Sequence, residues 1–260
     1  MDNFYDCLAR HYDEMQSDMD VRLWADYYSS LIERHSDIRV RTITDLGCGT
    51  GSVDICLAKN GYKVTGIDSA EEMLIMAGNK KGAGKIIWSL QDITDFELPG
   101  KTDCFISVLD TMDHITDERV LAGIFSKVSS YLAEGGVFVF DVITRKHLAR
   151  TLADNVFYED YEDFTLLWLN SYDSSTRTNT AELTLFERQE DGRFARYDGD
   201  LVERFYPVQF FIKAAGRAGL KHLGTYDELS YDAPDKDSER VFLVFGKPLE
   251  ERRGLTEYIT

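Results

Sequence analysis

Cysteine is scarce in this chain, and the few cysteines stand apart. Cys7, Cys48, Cys56 and Cys104 form no C-x-x-C pair. That argues against a zinc site, or any metal, and predicts a reduced, cytoplasmic protein. Basic charge is also short: 29 bases stand against 46 acids, for a formal net charge of −17. No basic run exceeds a pair, as at Lys80-Lys81 and Arg252-Arg253. Such a field repels phosphate backbones and anionic membranes, so neither nucleic acid nor membrane is expected as a partner. No window approaches the roughly 18 consecutive apolar residues of a membrane span. The opening Met-Asp-Asn-Phe-Tyr-Asp lacks the positive-then-apolar order of a signal peptide. No internal repeat of solenoid period is visible.

What is present suits one α/β domain, or one domain with an insert: 260 residues, 43% apolar and 12% aromatic. Leu23, Trp24, Tyr27, Tyr28, Leu31 and Ile32 recur at helical spacing over 21–34. From Arg39 onward, short β-rich runs alternate with helix-compatible stretches. Strands are predicted over 39–46, 62–68, 85–90, 104–109 and 137–142, and helices over 52–60, 70–81 and 117–132. Ser69, with Glu72 three residues on, reads as an N-cap. Gly61 and Gly135-Gly136 read as helix stops. The alternation predicts a doubly wound, mostly parallel sheet with helices on both faces. The rhythm then changes. Strand-like runs over 164–169, 180–187 and 194–205 are separated by turn signals, which predicts an antiparallel β insert. Residues 157–205 hold 12 acids against 5 bases. A helix over 208–218 and strands over 220–226 and 240–245 return to the main sheet.

The most informative stretch is 42–51, Thr-Ile-Thr-Asp-Leu-Gly-Cys-Gly-Thr-Gly. A strand turns through Gly47, Gly49 and Gly51 into a helix, so backbone can come close to a ligand at the carboxyl end of the strand. The dinucleotide fingerprint G-x-G-x-x-G begun at Gly47 needs a glycine at 52, where Ser52 stands. Asp68 ends the second strand, 17 residues past Gly51. An acid there can accept hydrogen bonds from both hydroxyls of a ribose. Asp92, after the third strand, can accept from an adenine amino group while Ile93 packs on the ring. Residues 109–113 follow the fourth strand. A doubly wound sheet gathers these loops at its switch point.

These motifs, in this order, resemble those of class I S-adenosylmethionine-dependent methyltransferases. The family's first motif resembles Asp45-Leu46-Gly47-Cys48-Gly49-Thr50-Gly51. The second resembles Gly66-Ile67-Asp68-Ser69-Ala70-Glu71-Glu72-Met73-Leu74, the third Gln91-Asp92-Ile93, and a later one Leu132-Ala133-Glu134-Gly135-Gly136. The likeness spans roughly residues 40–145. It implies S-adenosyl-L-methionine as cofactor, near Asp45, Gly47, Cys48, Gly49, Gly51, Asp68, Ser69, Met73, Asp92, Ile93, Leu109 and Asp110. It also implies a seven-stranded Rossmann-like sheet whose last strand, 240–245, runs antiparallel. The N-terminal Phe-Tyr-Asp-Cys-Leu-Ala-Arg-His-Tyr-Asp and the insert are similar to small-molecule N-methyltransferases of the aminosugar and glycine type. That likeness implies that Tyr5 or Tyr12 closes over the cofactor and that the insert lids the acceptor. The expected organisation is then N-terminal cap helices over 1–38 and a Rossmann-like cofactor-binding domain over 39–154 and 206–248. The lid insert spans 155–205 and a tail 249–260. The Asn/Asp-Pro-Pro-Tyr signature of DNA and protein-amide methyltransferases is missing.

Methyl transfer is an in-line displacement, to which an enzyme mostly supplies proximity and alignment. A neutral amine needs no strong base at attack, whereas an alcohol or phenol does. His114, in the loop nearest the reacting carbon, is the candidate base, and its ordinary titration range suits the task. Tyr12 is a second candidate at the reacting centre. The expected acceptor is a small molecule, methylated on nitrogen or oxygen, and a homodimer is compatible with it. Competing readings are a non-catalytic cofactor-binding protein, an NAD-dependent oxidoreductase and an aminopropyltransferase.

Overall fold

The alternating strands and helices build one mixed sheet in a computed structural model that describes residues 4–249. The expected tail, past Leu249, lies outside the described residues, as do residues 1–3 of the N-terminal cap. The parallel strands are β1 (Thr42–Leu46), β2 (Lys63–Asp68), β3 (Ile87–Leu90), β4 (Thr102–Ser107) and β5 (Leu132–Ile143). The insert contributes β6 (Val156–Asp160), β7 (Phe164–Asp173), β8 (Thr178–Arg188) and β9 (Phe194–Arg204), paired in sequence as an antiparallel sheet. β10 (Lys221–Asp227) and β11 (Arg240–Gly246) complete the main sheet, in the order β3-β2-β1-β4-β5-β11-β10. β11 is antiparallel to both neighbours, as expected. The switch point falls at β1, with β2 on one side and β4 on the other.

Helices cover both faces because each carries one apolar stripe. α2 (Val21–His35) and α3 (Ser52–Lys59) pack Trp24, Tyr28, Leu31 and Val53 on one face, against Ile43, Ile106 and Phe242. α5 (Glu118–Tyr131) and α6 (Val208–Arg217) press Phe125 and Phe211 on the other, against Phe105, Phe140 and Phe245. Fully burying each such side chain contributes about 1.5–3 kcal/mol. α4 (Glu71–Asn79) follows β2. α1 (Phe4–Met15) lies on the insert, where Phe4, Cys7 and Leu8 join Phe164, Leu166, Leu183 and Leu185 in a separate core. No helix among the described residues is long and apolar enough to cross a membrane.

Three local expectations change. β6 has no counterpart in the sequence reading, because Val-Phe-Tyr-Glu-Asp has little alternation; its order comes from pairing with β7. β5 starts at Leu132, upstream of the double glycine, with an irregular register opposite Thr102 and Cys104. Ser69 is not the cap of α4: Asp68 Oδ1 accepts the Ala70 N–H at 2.9 Å instead.

Candidate functional site

The glycine loop has three glycines with three different tasks. All have positive φ, a region that a Cβ disfavours. A Cβ at Gly47 would lie 2.2 Å from Thr111 Cγ2, so this glycine lets the 108–114 turn close onto the loop. A Cβ at Gly51 would lie 2.2 Å from Trp88 Cη2, so this one seats α3 against β3. A Cβ at Gly49 would meet nothing within 4 Å, and the Gly49 N–H donates to Asp68 Oδ2 at 2.8 Å. Asp68 therefore joins the ends of β1 and β2. Burial raises its carboxyl above the ordinary value, against amide hydrogen bonds from Ala70, Gly49 and Ser69.

Beneath the loop, Asp45 and Asp54 are buried side by side. Burial is the main cause that raises both carboxyls, and for Asp45 the Asp54 charge adds to it. Asp45 Oδ1 and both Asp54 oxygens have no donor among the described residues. Such a pair keeps a proton between its members at neutral pH.

After β4 the chain makes an unusual turn. Leu109 and Asp110 both take left-handed backbone conformations, with φ of 56° and 64°. For non-glycine residues this costs about 1–2 kcal/mol each. Asp141, at the end of β5, offsets that cost. Its Oδ1 accepts the Leu109 N–H at 2.9 Å and its Oδ2 the Asp110 N–H at 3.2 Å. The Tyr28 hydroxyl donates to Oδ1 at 2.6 Å. Arg240 then bridges the Asp141 and Asp110 carboxylates, with Glu228 at 3.4 Å. The next residues form a short 3-10 turn, Thr111–His114. Within it Asp113 is fully buried, and its Oδ2 accepts the Ile143 N–H at 2.8 Å. Burial, then the Asp110 charge, raises Asp113 well above the carboxylate range, so it stays a neutral acid.

α1 and the insert close the site from above. Asp13 Oδ1 accepts from the Thr50 hydroxyl and from Lys80 Nζ, both at 2.6 Å. The other side of α1 grips the insert, with Arg10 and His11 on Glu187 and the Tyr5 hydroxyl on the Asp200 carbonyl. β9 crosses the 111–114 turn, and the Val202 carbonyl lies 3.3 Å from His114 Nδ1. Its inward residues alternate. Gly199 meets Phe4, Leu201 lines the cavity below, and Glu203 comes next on that face. Glu203 has no hydrogen-bond donor among the described residues. Burial, then the Asp110 charge, pushes it up to about 7, with Arg240 opposing.

Two adjoining cavities sit at this edge. The larger, of about 440 Å³, is lined by Tyr5, Tyr12, Gly47, Gly49, Asp68, Ser69, Met73, Asp92, Ile93, Leu109 and His114. The smaller, of about 110 Å³, adds Asp45 and Cys48 and shares Tyr12, Gly47, Gly49 and Leu109. Gly51 and Asp110 line neither: Gly51 is taken up by Trp88, and the Asp110 carboxylate is turned to Arg240. Asp92 Oδ1 is used by the Thr94 N–H and hydroxyl at 2.8 and 2.7 Å, which leaves Oδ2. Burial, then Asp110 and Asp68, pushes the Tyr12 hydroxyl up to about 12. Tyr12 thus keeps its proton at neutral pH and lines both cavities. His114 is exposed, with only a backbone carbonyl as partner among the described residues. Sequence reasoning missed Asp141, Arg240 and Glu203. An acid inside the apolar run Val137–Ile143 was a readable signal for Asp141; nothing local marks Glu203.

Residues 43–136 match the family model of a methyltransferase domain. Over 94% of its length the chain is 28% identical to a provisionally assigned methyltransferase of Geobacillus sp. (strain WCH70), covering 99% of that protein. A solved S-adenosylmethionine-dependent methyltransferase from Clostridium acetobutylicum is 27% identical, with a TM-score of 0.83, over 95% of this chain and 100% of the other. An amino pentose methyltransferase from Micromonospora echinaspora shares the fold, at 16% identity and a TM-score of 0.72, over 92% of this chain and 96% of the other.

Proposed function

We propose that this chain, as a class I S-adenosylmethionine-dependent methyltransferase, methylates the nitrogen of a small amine held between the 109–114 turn and β9. The observation that carries the amine is the acid wall there. Asp110, Glu228 and Glu203 face one cation, Arg240, and Glu203 has no hydrogen-bond donor among the described residues. The Micromonospora neighbour supports only the fold, so the amine rests on these acids.

The residues fit the cofactor. Open space at Gly49 admits a ligand against the loop, and the buried, unpartnered Asp45 Oδ1 beside the smaller cavity suits an amino group. A cavity of about 440 Å³ is within the range of small-ligand sites. In this reading Asp68 holds the ribose hydroxyls and Asp92 Oδ2 the adenine amino group, with Ile93 and Met73 on the ring. Bound S-adenosylmethionine supplies a methyl group already activated by its sulfonium. The chain then aligns the nucleophile and keeps water out, which is most of what such a displacement needs. Tyr12 and Tyr5 roof the site, and the rigid Leu109-Asp110 turn fixes its floor. Glu203 draws in an ammonium, and with a value of about 7 it can take up the proton that the amine must release.

The test is methyl transfer from labelled S-adenosylmethionine to a panel of amines, alcohols and phenols. The label is expected on nitrogen. Glu203→Gln is expected to lower kcat/KM at least tenfold and leave S-adenosylhomocysteine affinity unchanged. Label on oxygen acceptors alone, or a fully active Glu203→Gln, would sink the proposal.

A further inference from the structure

Beyond the end of β5 lies a cavity that shares no lining residue with the two at the glycine loop. It measures about 540 Å³ and is lined by Arg145, Lys146, Ala149, Arg150, Lys236 and Asp237. Four bases and one acid converge there, in a chain whose acids outnumber its bases 46 to 29. The scaffold beneath is built. His147–Leu152 form a π turn, closed by the Ala153 N–H on the Leu148 carbonyl, five residues back, at 2.8 Å. Arg150 stands within that turn and Arg145 two residues before it, and both line the cavity. Such turns occur frequently at functional sites, and Ala153 ends this one at a left-handed φ of 34°.

Glu239 pins the turn to the loop before β11. His147 Nδ1 lies 3.2 Å from its Oε2, and the Thr151 hydroxyl donates to its Oε1 at 3.0 Å. Lys146 donates to the Asp237 carbonyl at 2.6 Å and lies 3.5 Å from Glu239. Asp237 and Glu239 are thereby engaged by Lys146 and His147. Arg145, Arg150 and Lys236 have no carboxylate partner among the described residues. Guanidinium pairs suit oxyanions, phosphate above all.

The place matters as much as the charge. Ile143 pairs with Arg240 across β5 and β11. Arg145 is two residues on, so its Cα lies within about 12 Å of that of Arg240. We infer that this cavity is a phosphate subsite: Arg145, Arg150 and Lys236 hold the phosphate of a small phosphorylated amine whose nitrogen reaches Glu203. The inference rests on the amine reading above and adds the acceptor's other end.

Calorimetry on the full chain saturated with S-adenosylhomocysteine tests it, with glucosamine 6-phosphate, glucosamine and inorganic phosphate as probes. Glucosamine 6-phosphate is expected to bind at least tenfold more tightly than glucosamine. The triple variant Arg145→Gln, Arg150→Gln, Lys236→Gln should abolish that difference and keep the wild-type melting temperature and S-adenosylhomocysteine affinity. Arg39→Gln with Arg41→Gln, in a separate cavity before β1, should leave the preference intact. Equal affinity for the two amines, a preference that survives the triple variant, or binding of inorganic phosphate alone would overturn the subsite. The amine reading fails by a different result, an active Glu203→Gln, so each can fall without the other.

Discussion

Replacing Gly49 with alanine separates what the glycine loop does for a ligand from what it does for the fold. At φ +52°, with nothing within 4 Å of the new methyl, the substitution meets no steric clash. Its cost to folding is the left-handed conformation alone, about 1–2 kcal/mol. In a chain of this size that lowers the melting temperature by roughly 2–8 °C. The methyl enters the space between the two cavities that Gly49 lines. A ligand lying against the loop must then shift, and a tenfold loss of affinity corresponds to about 1.4 kcal/mol. Gly51→Ala is the contrast. It carries the same backbone cost and drives a Cβ to 2.2 Å from Trp88 Cη2. Overpacking adds about 1–3 kcal/mol, so its defect falls on stability. Calorimetry with S-adenosylhomocysteine and thermal unfolding separate the two. Gly49→Ala should bind at least tenfold more weakly, while Gly51→Ala should unfold earlier and bind in proportion to its folded fraction. Wild-type affinity in Gly49→Ala would refute the assignment of that glycine to the ligand.

Other outcomes follow from the same geometry. Asp68→Ala removes the acceptor that joins the Gly49 and Ala70 amides, and S-adenosylhomocysteine affinity should fall at least tenfold by calorimetry. Arg240→Met strands Asp141, which is fully buried, and should destabilise the fold by about 3–5 kcal/mol in urea unfolding. For Asp54 the sign is that of a buried carboxyl raised in the folded state. Its stability contribution is present below the ordinary carboxylate value and is lost as pH rises through the raised one. The wild-type melting temperature should therefore fall from pH 5 toward pH 8. Asp54→Asn, whose amide can donate to Asp45, should flatten that fall and gain about 1.5–3 kcal/mol at pH 8.

The sequence by itself determined the sheet and the glycine loop. Strand and helix periods are local, and the turn through Gly47, Gly49 and Gly51 needs its glycines wherever the rest of the chain goes. Asp68, which ends β2, and Asp92, just past β3, were legible for the same reason. Tertiary structure decided what those residues share the site with. Only packing shows that Gly51 serves Trp88 rather than the cavity, or that Asp110 is spent on Arg240, 130 residues away. Only strand pairing puts Arg145 near the start of β11, and only the alternation along β9 turns Glu203 inward. Charge acts through space, and chain order carries no record of which distant acids and bases a fold will bring together. The proposed cofactor end of the site is therefore written in contiguous motifs, while the proposed acceptor end is assembled from single residues of β5, β9 and β11.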